Sequence, residues 1–418
     1  NYHYIVIDIK FSTLYLRSDG IHLLNQNNVP AYKSQLYIYN EAVGSIQGYT
    51  PTKSYLLGRK YKFTKNKIQF SNNNCFEKLG VVNFVDIDLD YKTKTKNAIS
   101  WYRKLKRSGH KWSVSPPIRK ELFPNMCVDS GYWNKYKKII SNEIDEITNI
   151  WMCGPRHREN CIQNNIFSWS DKNCNSKNLG LKNNTANIVD KILNINRQTT
   201  HLIFPKKIKS EIYDWRNEKN NLYIDFETLN SVLMENFKSI PSQNSNNIIF
   251  LIGVGVIKNN KWVYKKFLVN NLSNCEELRI IKDFKQYIDT FYNHKIVYFH
   301  AENTFWEKVL SKHNLPSSYK FRNTCDVLKI FKEEPIVLKN CFDFSLKNIA
   351  KTMKSHNMIT TSLETYCKNG FAAMVNAIDI YSKNTNVKNN HEMKDIIKYN
   401  EFDCKILYDI LTYLRKNH

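Results

Sequence analysis

No run in this sequence approaches the roughly 20 consecutive apolar residues that a bilayer-spanning helix needs, although 42% of its 418 residues are hydrophobic. That excludes a helical membrane protein and leaves a globular chain with no membrane partner, long enough for roughly two to four domains. No Cys-x-x-Cys pair occurs among the ten cysteines. The closest group, Cys153, Cys161 and Cys174, has a spacing that fits no common zinc or iron–sulfur pattern. The thiols read as reduced, intracellular and mostly buried. The opening Asn1-Tyr2-His3-Tyr4 leads straight into strand-like Ile5-Val6-Ile7, with neither a signal peptide nor an initiator Met. The expectation is an intracellular chain, cytoplasmic or nuclear and not secreted, whose sequence opens inside a domain. No internal repeat is found.

Acids are the scarce charge: 38 Asp and Glu stand against 62 Lys and Arg, a net +24. The excess is spread along the chain, and a polyanion such as nucleic acid is the partner it implies. A Lys- and Asn-rich composition imposed by an AT-rich genome gives the same charge without selecting a ligand, and charge alone does not separate the two.

The fold class read from the pattern is α/β throughout, in three parts. Residues 1–70 read as strand (4–9), helix (31–44) and strand (55–63). Residues 71–215 read as mostly helical, with a Lys-rich helix at 97–107, a turn at Ser115-Pro116-Pro117, a helix over 134–151, a second short helix after Gly154-Pro155 ending at 163, and an Asn-rich loop over 170–186. Residues 216–418 give strands at 222–227, 248–257 and 262–269, an amphipathic helix carrying Leu278, Ile281, Phe284 and Ile288, a strand at 295–300, and a helix entered near 303. Three meander strands, a helix and a crossover strand imply a mixed sheet flanked by helices.

Leu222-Tyr223-Ile224-Asp225-Phe226-Glu227-Thr228 is the most informative run. The side-chain period of a strand is two, so Asp225 and Glu227 share one face. Two adjacent carboxylates repel, and such a pair either binds metal, takes up a proton, or sits at a solvated strand end. Further on, Phe299-His300-Ala301-Glu302-Asn303 places an acid where a strand passes into a helix. Near the end, Tyr399-Asn400-Glu401-Phe402-Asp403 puts a phenol and a carboxylate one helical turn apart.

This order of motifs resembles the DEDD exonucleases of the ribonuclease H-like fold. Tyr399, four residues before Asp403, places the resemblance in the tyrosine subclass; the histidine subclass would carry His at 398, which is Lys. Residues 223–228, Leu251-Ile252-Gly253-Val254-Gly255, Thr324-Cys325-Asp326-Val327-Leu328, Ser345-Leu346-Lys347-Asn348-Ile349-Ala350 and 399–404 are similar to the YprB-type predicted exonucleases that are fused to RecB-like nuclease domains. The similarity covers most of 221–418. It implies that Asp225, Glu227 and Asp403 are metal ligands, that Tyr399 orients water, and that Glu302, with Glu307 as fallback, replaces the usual second-motif Asp. It also implies a supporting acid at Asp326 and a basic residue at Lys347, two Mg²⁺ or Mn²⁺ ions about 3.5–4 Å apart, and hydrolysis from a 3′ end.

In the first part, Asp8 and Lys10 share a strand face, and Gln35 and Tyr39 lie four apart on the next helix. A half-buried strand with an ion pair explains the first two. The set of four resembles the C-terminal half of a RecB-like PD-(D/E)XK nuclease of restriction-endonuclease-like fold, in which Asp8 would bind metal and Lys10 would polarise water. The preceding strand's metal-binding Asp is not in the sequence, so this site is expected to be incomplete. In the middle part, the segment near 137–170 around Trp151-Met152-Cys153-Gly154-Pro155-Arg156-His157-Arg158 is similar to a degenerate helix-hairpin-helix, or is a plain helical hairpin with a glycine cap. The first reading gives Arg156, His157 and Arg158 phosphate contacts. The function expected is a metal-dependent exonuclease on DNA rather than RNA. The alternative is a catalytically decayed nucleic-acid-binding platform that works with a helicase or another replication or repair partner.

Overall fold

The computed structural model describes residues 2–72, 74–114, 119–198, 200–229, 247–362, 367, 369–383 and 386–418, with the Lys120 side chain left aside. The expected turn at 115–117 lies outside them. The chain forms two compact units, one ending at Ser113 and the other beginning at Val114, so the stretch 71–215 is divided between them. Among the described residues no helix is long and apolar enough to cross a membrane.

The first unit runs β1 (Ile7–Tyr15), α1 (Val29–Gln47), β2 (Lys53–Lys65), β3 (Ile68–Asn72), β4 (Gly80–Asn83) and α2 (Asp90–Ser108). α1 begins with Pro30 in its first turn, where a missing N–H costs no helical hydrogen bond, and ends at Gly48 with φ 74°. β1 pairs in parallel with β2, Asp8 opposite Leu56 and Lys10 opposite Gly58. β2 is long enough to pair antiparallel with β4 at its start and with β3 at its end. Leu14, Leu36, Leu56, Val82 and Phe84 fill the core between sheet and helix.

The second unit starts with α3 (Asn134–Glu143), α4 (Pro155–Ile162), α5 (Ser176–Leu179), α6 (Asn183–Arg197) and β5 (Ile203–Phe204). The helix expected over 134–151 stops at Glu143, because Asp145 takes a left-handed φ of 50° and Glu146 caps a separate 3₁₀ turn at Ile147–Asn149. The Asn-rich 170–186 stretch is not one loop: α5 and the start of α6 lie in it, since Ile188, Ile192 and Ile195 form a buried stripe that tertiary packing rewards. Cys153, Cys161 and Cys174 share a small apolar core with Ile150, Leu179 and Leu193.

The main sheet holds β6 (Asn221–Leu229), β7 (Ile248–Lys258), β8 (Lys261–Leu268), β9 (Lys295–Tyr298) and β10 (Thr324–Asp326), in spatial order β10-β9-β6-β7-β8. β6, β7 and β8 are antiparallel, while β9 and β10 continue in parallel from β6. The intervening helices are α7 (Asn274–Ile288), α8 (Glu302–Lys312) and α9 (Val327–Glu333); then come β11 (Val337–Leu338), α10 (Leu346–Ser355), α11 (Gly370–Ser382) and α12 (His391–Asn417). On one face of β6, Phe226 packs edge-on to Phe284 of α7 and near Trp306 of α8. On the other, Tyr223 meets Tyr408 of α12 with ring centroids 5.5 Å apart. The sheet is thus a filling between two helical layers, and α12 covers the face to which the odd-numbered residues of β6 point. The mixed α/β architecture with helices on the sheet is the class read from the sequence.

Candidate active site

Strand periodicity sends Asp225 and Glu227 to the α12 side of β6. Glu227, Glu302 and Asp403 are all buried, at 6%, 8% and 6% exposure. Glu302 opens α8 after a tight turn in which His300 has φ 78°. Asp326 fixes that turn: one of its oxygens accepts the His300 N–H at 3.1 Å and the Leu328 N–H at 3.0 Å. Asp326 therefore caps α9 and positions the start of α8. Glu307, the fallback, is exposed on α8 beside Asn303 and is not brought to the other acids.

Burial dominates the protonation of these acids. Burial holds the Asp225 carboxyl well above its usual range, and the charges of Glu227, Asp403 and Glu302 push it further. Burial, and then the charge of Asp403, push Glu227 up to about 8. Glu302 also rises to about 8, chiefly by burial, with Asp326 adding to it against the pull of nearby backbone hydrogen bonds. Asp403 rises to about 6 by burial, opposed by the Lys347 ammonium and a hydrogen bond from Tyr399. Four carboxylates from β6, α8 and α12 sharing one buried space need protons or a cation.

Glu302 Oε2 and Asp403 Oδ1 are buried with no hydrogen-bond partner. An all-oxygen donor set with spare lone pairs suits a hard divalent cation such as Mg²⁺ or Mn²⁺. With the side chains as they stand, no group of three or more His, Cys, Asp or Glu among the described residues is arranged around a metal position. The fit therefore rests on donor chemistry, charge and unpartnered oxygens.

Asn400, which lies within the Tyr399–Asp403 run but has no role assigned by it, is the residue that orients the first acid. It is fully buried (0% exposed), and its Nδ2 donates to Asp225 Oδ2 at 2.7 Å and to the Asp225 carbonyl at 3.2 Å. Its Oδ1 accepts from the Tyr264 hydroxyl of β8 at 2.8 Å. Gly253, opposite Asp225 on β7, makes the room: a Cβ there would lie 1.7 Å from Asn400 Oδ1. A glycine inside a strand often marks a close approach, and Gly253 is the signal that points to it. Tyr399 is buried, its phenol held above the ordinary tyrosine range by burial and by Asp403, Asp225 and Glu227. Lys347 stands 4.2 Å from the centre of that ring.

The four residues of the first unit are also brought together. Lys10 Nζ lies 3.0 Å from Asp8 Oδ2 and donates to Gln35 Oε1 at 2.9 Å, and Gln35 Nε2 donates to the Tyr39 hydroxyl at 2.6 Å. One of the expected phosphate contacts of the second unit, Arg158, needs correction. Arg158 is buried at 7% exposure, bound to Glu146 Oε1 at 2.9 Å and to the carbonyls of Phe123 and Pro124. A guanidinium spent on an internal ion pair is not available to a phosphate. His157 Nδ1 accepts the Gly154 N–H at 3.0 Å and caps α4, while Arg156 is exposed. Residues 144–154, with their own 3₁₀ turn, separate α3 from α4, a longer connection than a tight hairpin.

Residues 240–415 match the family model RNase_H_2, of the RNase_H superfamily. The match includes Glu302, Lys347, Tyr399 and Asp403 and begins after Asp225 and Glu227. It supports a nuclease-type function for this region, and with it a nucleic-acid substrate. No curated protein matches the chain.

Proposed function

We propose that residues 216–418 act as a metal-dependent 3′–5′ exonuclease that hydrolyses phosphodiester bonds of DNA, with Asp225, Glu227, Glu302 and Asp403 holding two Mg²⁺ or Mn²⁺ ions. The observation that carries the reading is the set of four carboxylates from three elements, three of them buried and all three bearing on Asp225, two with unpartnered oxygens, beside Tyr399 and Lys347. A divalent ion held there would polarise a phosphoryl oxygen and make water a nucleophile near neutral pH. The protein's own groups do the positioning. Asn400 orients the Asp225 carboxylate through one hydrogen bond and ties itself to the strand through a second, to the Asp225 carbonyl. Tyr399 retains its proton, because its environment disfavours the phenolate, and gives it to Asp403 in a hydrogen bond; its hydroxyl oxygen can still accept a hydrogen bond from a water molecule and hold it in place. Lys347, whose charge reaches Asp403 and Glu227, offsets negative charge gathering on the transferred phosphoryl group. In the same reading, the first unit, through Ser113, is a partial PD-(D/E)XK-like domain built on Asp8, Lys10, Gln35 and Tyr39, and the helices over 134–197 precede the exonuclease domain.

The test uses end-labelled single-stranded DNA, duplex DNA and RNA with Mg²⁺ or Mn²⁺, beside Asp225→Asn and Asp403→Asn. Stepwise shortening from the 3′ end that both substitutions reduce to background is expected. Hydrolysis surviving both changes would overturn the assignment. Binding without hydrolysis of any substrate by the unaltered chain would instead identify a basic platform serving a helicase or another replication or repair partner.

A further inference from the structure

Beside the acids, between α10 and α12, lies a groove of about 290 Å³ lined by Lys347, Lys351, Lys354, Ser362, Phe402 and Ile406, among others. Its walls differ in chemistry. The three lysines recur at spacings of four and three, so they share one face of α10, and at the helical rise they span roughly 10 Å along its axis. Lys351 and Lys354 are exposed, and no ion pair joins either to an acid among the described residues. Phe402 and Ile406, one turn apart on α12, supply an apolar floor. The lysine wall leads to the acid cluster: Lys347 stands against the Tyr399 ring, and its charge reaches Asp403 and Glu227.

A row of cations facing an aromatic floor matches a polynucleotide strand whose bases are free. The phosphates pair with the ammonium groups, and one base face lies on the ring. A duplex keeps its bases stacked on one another and would leave Phe402 unused. Compact ammonium groups serve a flexible phosphate backbone without reading sequence. We propose that this groove binds single-stranded nucleic acid and leads its end to the acid cluster. The direction of travel rests on the nuclease reading above, whereas binding in the groove needs neither metal nor hydrolysis.

The experiment measures anisotropy of labelled oligo(dT), oligo(rU) and a blunt DNA duplex with the full chain in EDTA, across a salt series. Lys351→Gln with Lys354→Gln should weaken oligo(dT) binding about tenfold or more. It should also make the dependence of log affinity on log salt shallower by roughly 1.4, about 0.7 for each ammonium withdrawn from a single-strand phosphate. Phe402→Leu keeps an apolar side chain but removes the ring; it should weaken binding severalfold with the salt slope unchanged, and thermal melting shows that the variant folds. Equal loss for oligo(dT) and oligo(rU) supports a groove blind to the sugar, and loss for one alone supports a groove selective for it. Unchanged affinity and slope in the double lysine variant overturn the proposal, as does tighter binding of the duplex than of either single strand. Asp225→Asn separates the two readings, because it should abolish hydrolysis and leave oligonucleotide binding intact. Hydrolysis by a chain whose lysine variants bind normally would sink the groove alone; weakened binding in those variants of a chain that hydrolyses nothing would sink the exonuclease alone.

Discussion

Asp225 owes its orientation to a side chain 175 residues away, since Asn400 grips both its carboxylate and its carbonyl. Asn400→Ala should therefore lower hydrolysis and Mn²⁺ affinity about 10- to 100-fold, the range for groups that hold a metal ligand in place; calorimetric Mn²⁺ titration beside single-turnover rates checks both. Gly253→Ala should give a defect of the same kind, because its Cβ would displace the Asn400 amide. The acids also set a pH dependence for the metal-free chain. Glu227 and Glu302 are raised to about 8 in the folded state, so between the ordinary carboxyl range and about 8 the folded chain binds more protons than the unfolded one. The stability they contribute is complete below the ordinary range and is lost as pH rises through about 8. In EDTA the denaturant midpoint should fall between about pH 5 and pH 8.5, and Glu302→Gln should flatten the fall. A midpoint that rises with pH would refute the sign. Metal binding releases the same protons, so Mn²⁺ should raise the midpoint more at the alkaline end.

At the scale of elements, α12 does the most. Its Tyr399, Asn400 and Asp403 face the site, Phe402 and Ile406 floor the groove, and Tyr408 packs on Tyr223. The turn from β9 into α8 is the second device, with Asp326 holding the strained His300 corner so that Glu302 opens the helix inside the cluster. α4 shows how an element changes the meaning of a motif. Its Arg158, a phosphate contact on sequence grounds, forms a buried pair with Glu146. Removing one partner of such a pair leaves a buried charge, so Arg158→Ala should destabilise the second unit by about 3–5 kcal/mol. It should not change nucleic-acid affinity among molecules that remain folded. Urea denaturation beside anisotropy measures the two effects separately.

For the whole molecule, the two units imply separable chemistry. The Asp8–Lys10–Gln35–Tyr39 chain of contacts lies in the first unit, and Asp225, Glu227, Glu302 and Asp403 lie in the second. Lys10→Ala should leave hydrolysis that depends on Asp225 within about twofold of the unaltered chain, as expected for changes made in different compact units. A large loss in an end-labelled DNA assay would show instead that the first unit takes part. The net charge of +24 adds a long-range term: affinity for any nucleic acid should fall steeply with salt, whichever unit is altered.

The sequence by itself determined the strand–helix order of the region after 216, the pairing of Asp225 with Glu227 on one face, and the one-turn spacing of Tyr399 and Asp403. Periods of 2 and 3.6 are local properties that residue order carries directly. It also held the local rule that makes Gly253 noteworthy. Only the tertiary structure decided which groups meet: that Glu302 is buried with the other acids and Glu307 is not, that Asn400 rather than any neighbour grips Asp225, and that Arg158 is spent on Glu146. It likewise decided that α6 forms in a polar stretch and that three lysines of α10 face Phe402 across a groove. Such outcomes depend on contacts between distant segments and on loss of water around them, and no window of residues along the chain contains that information.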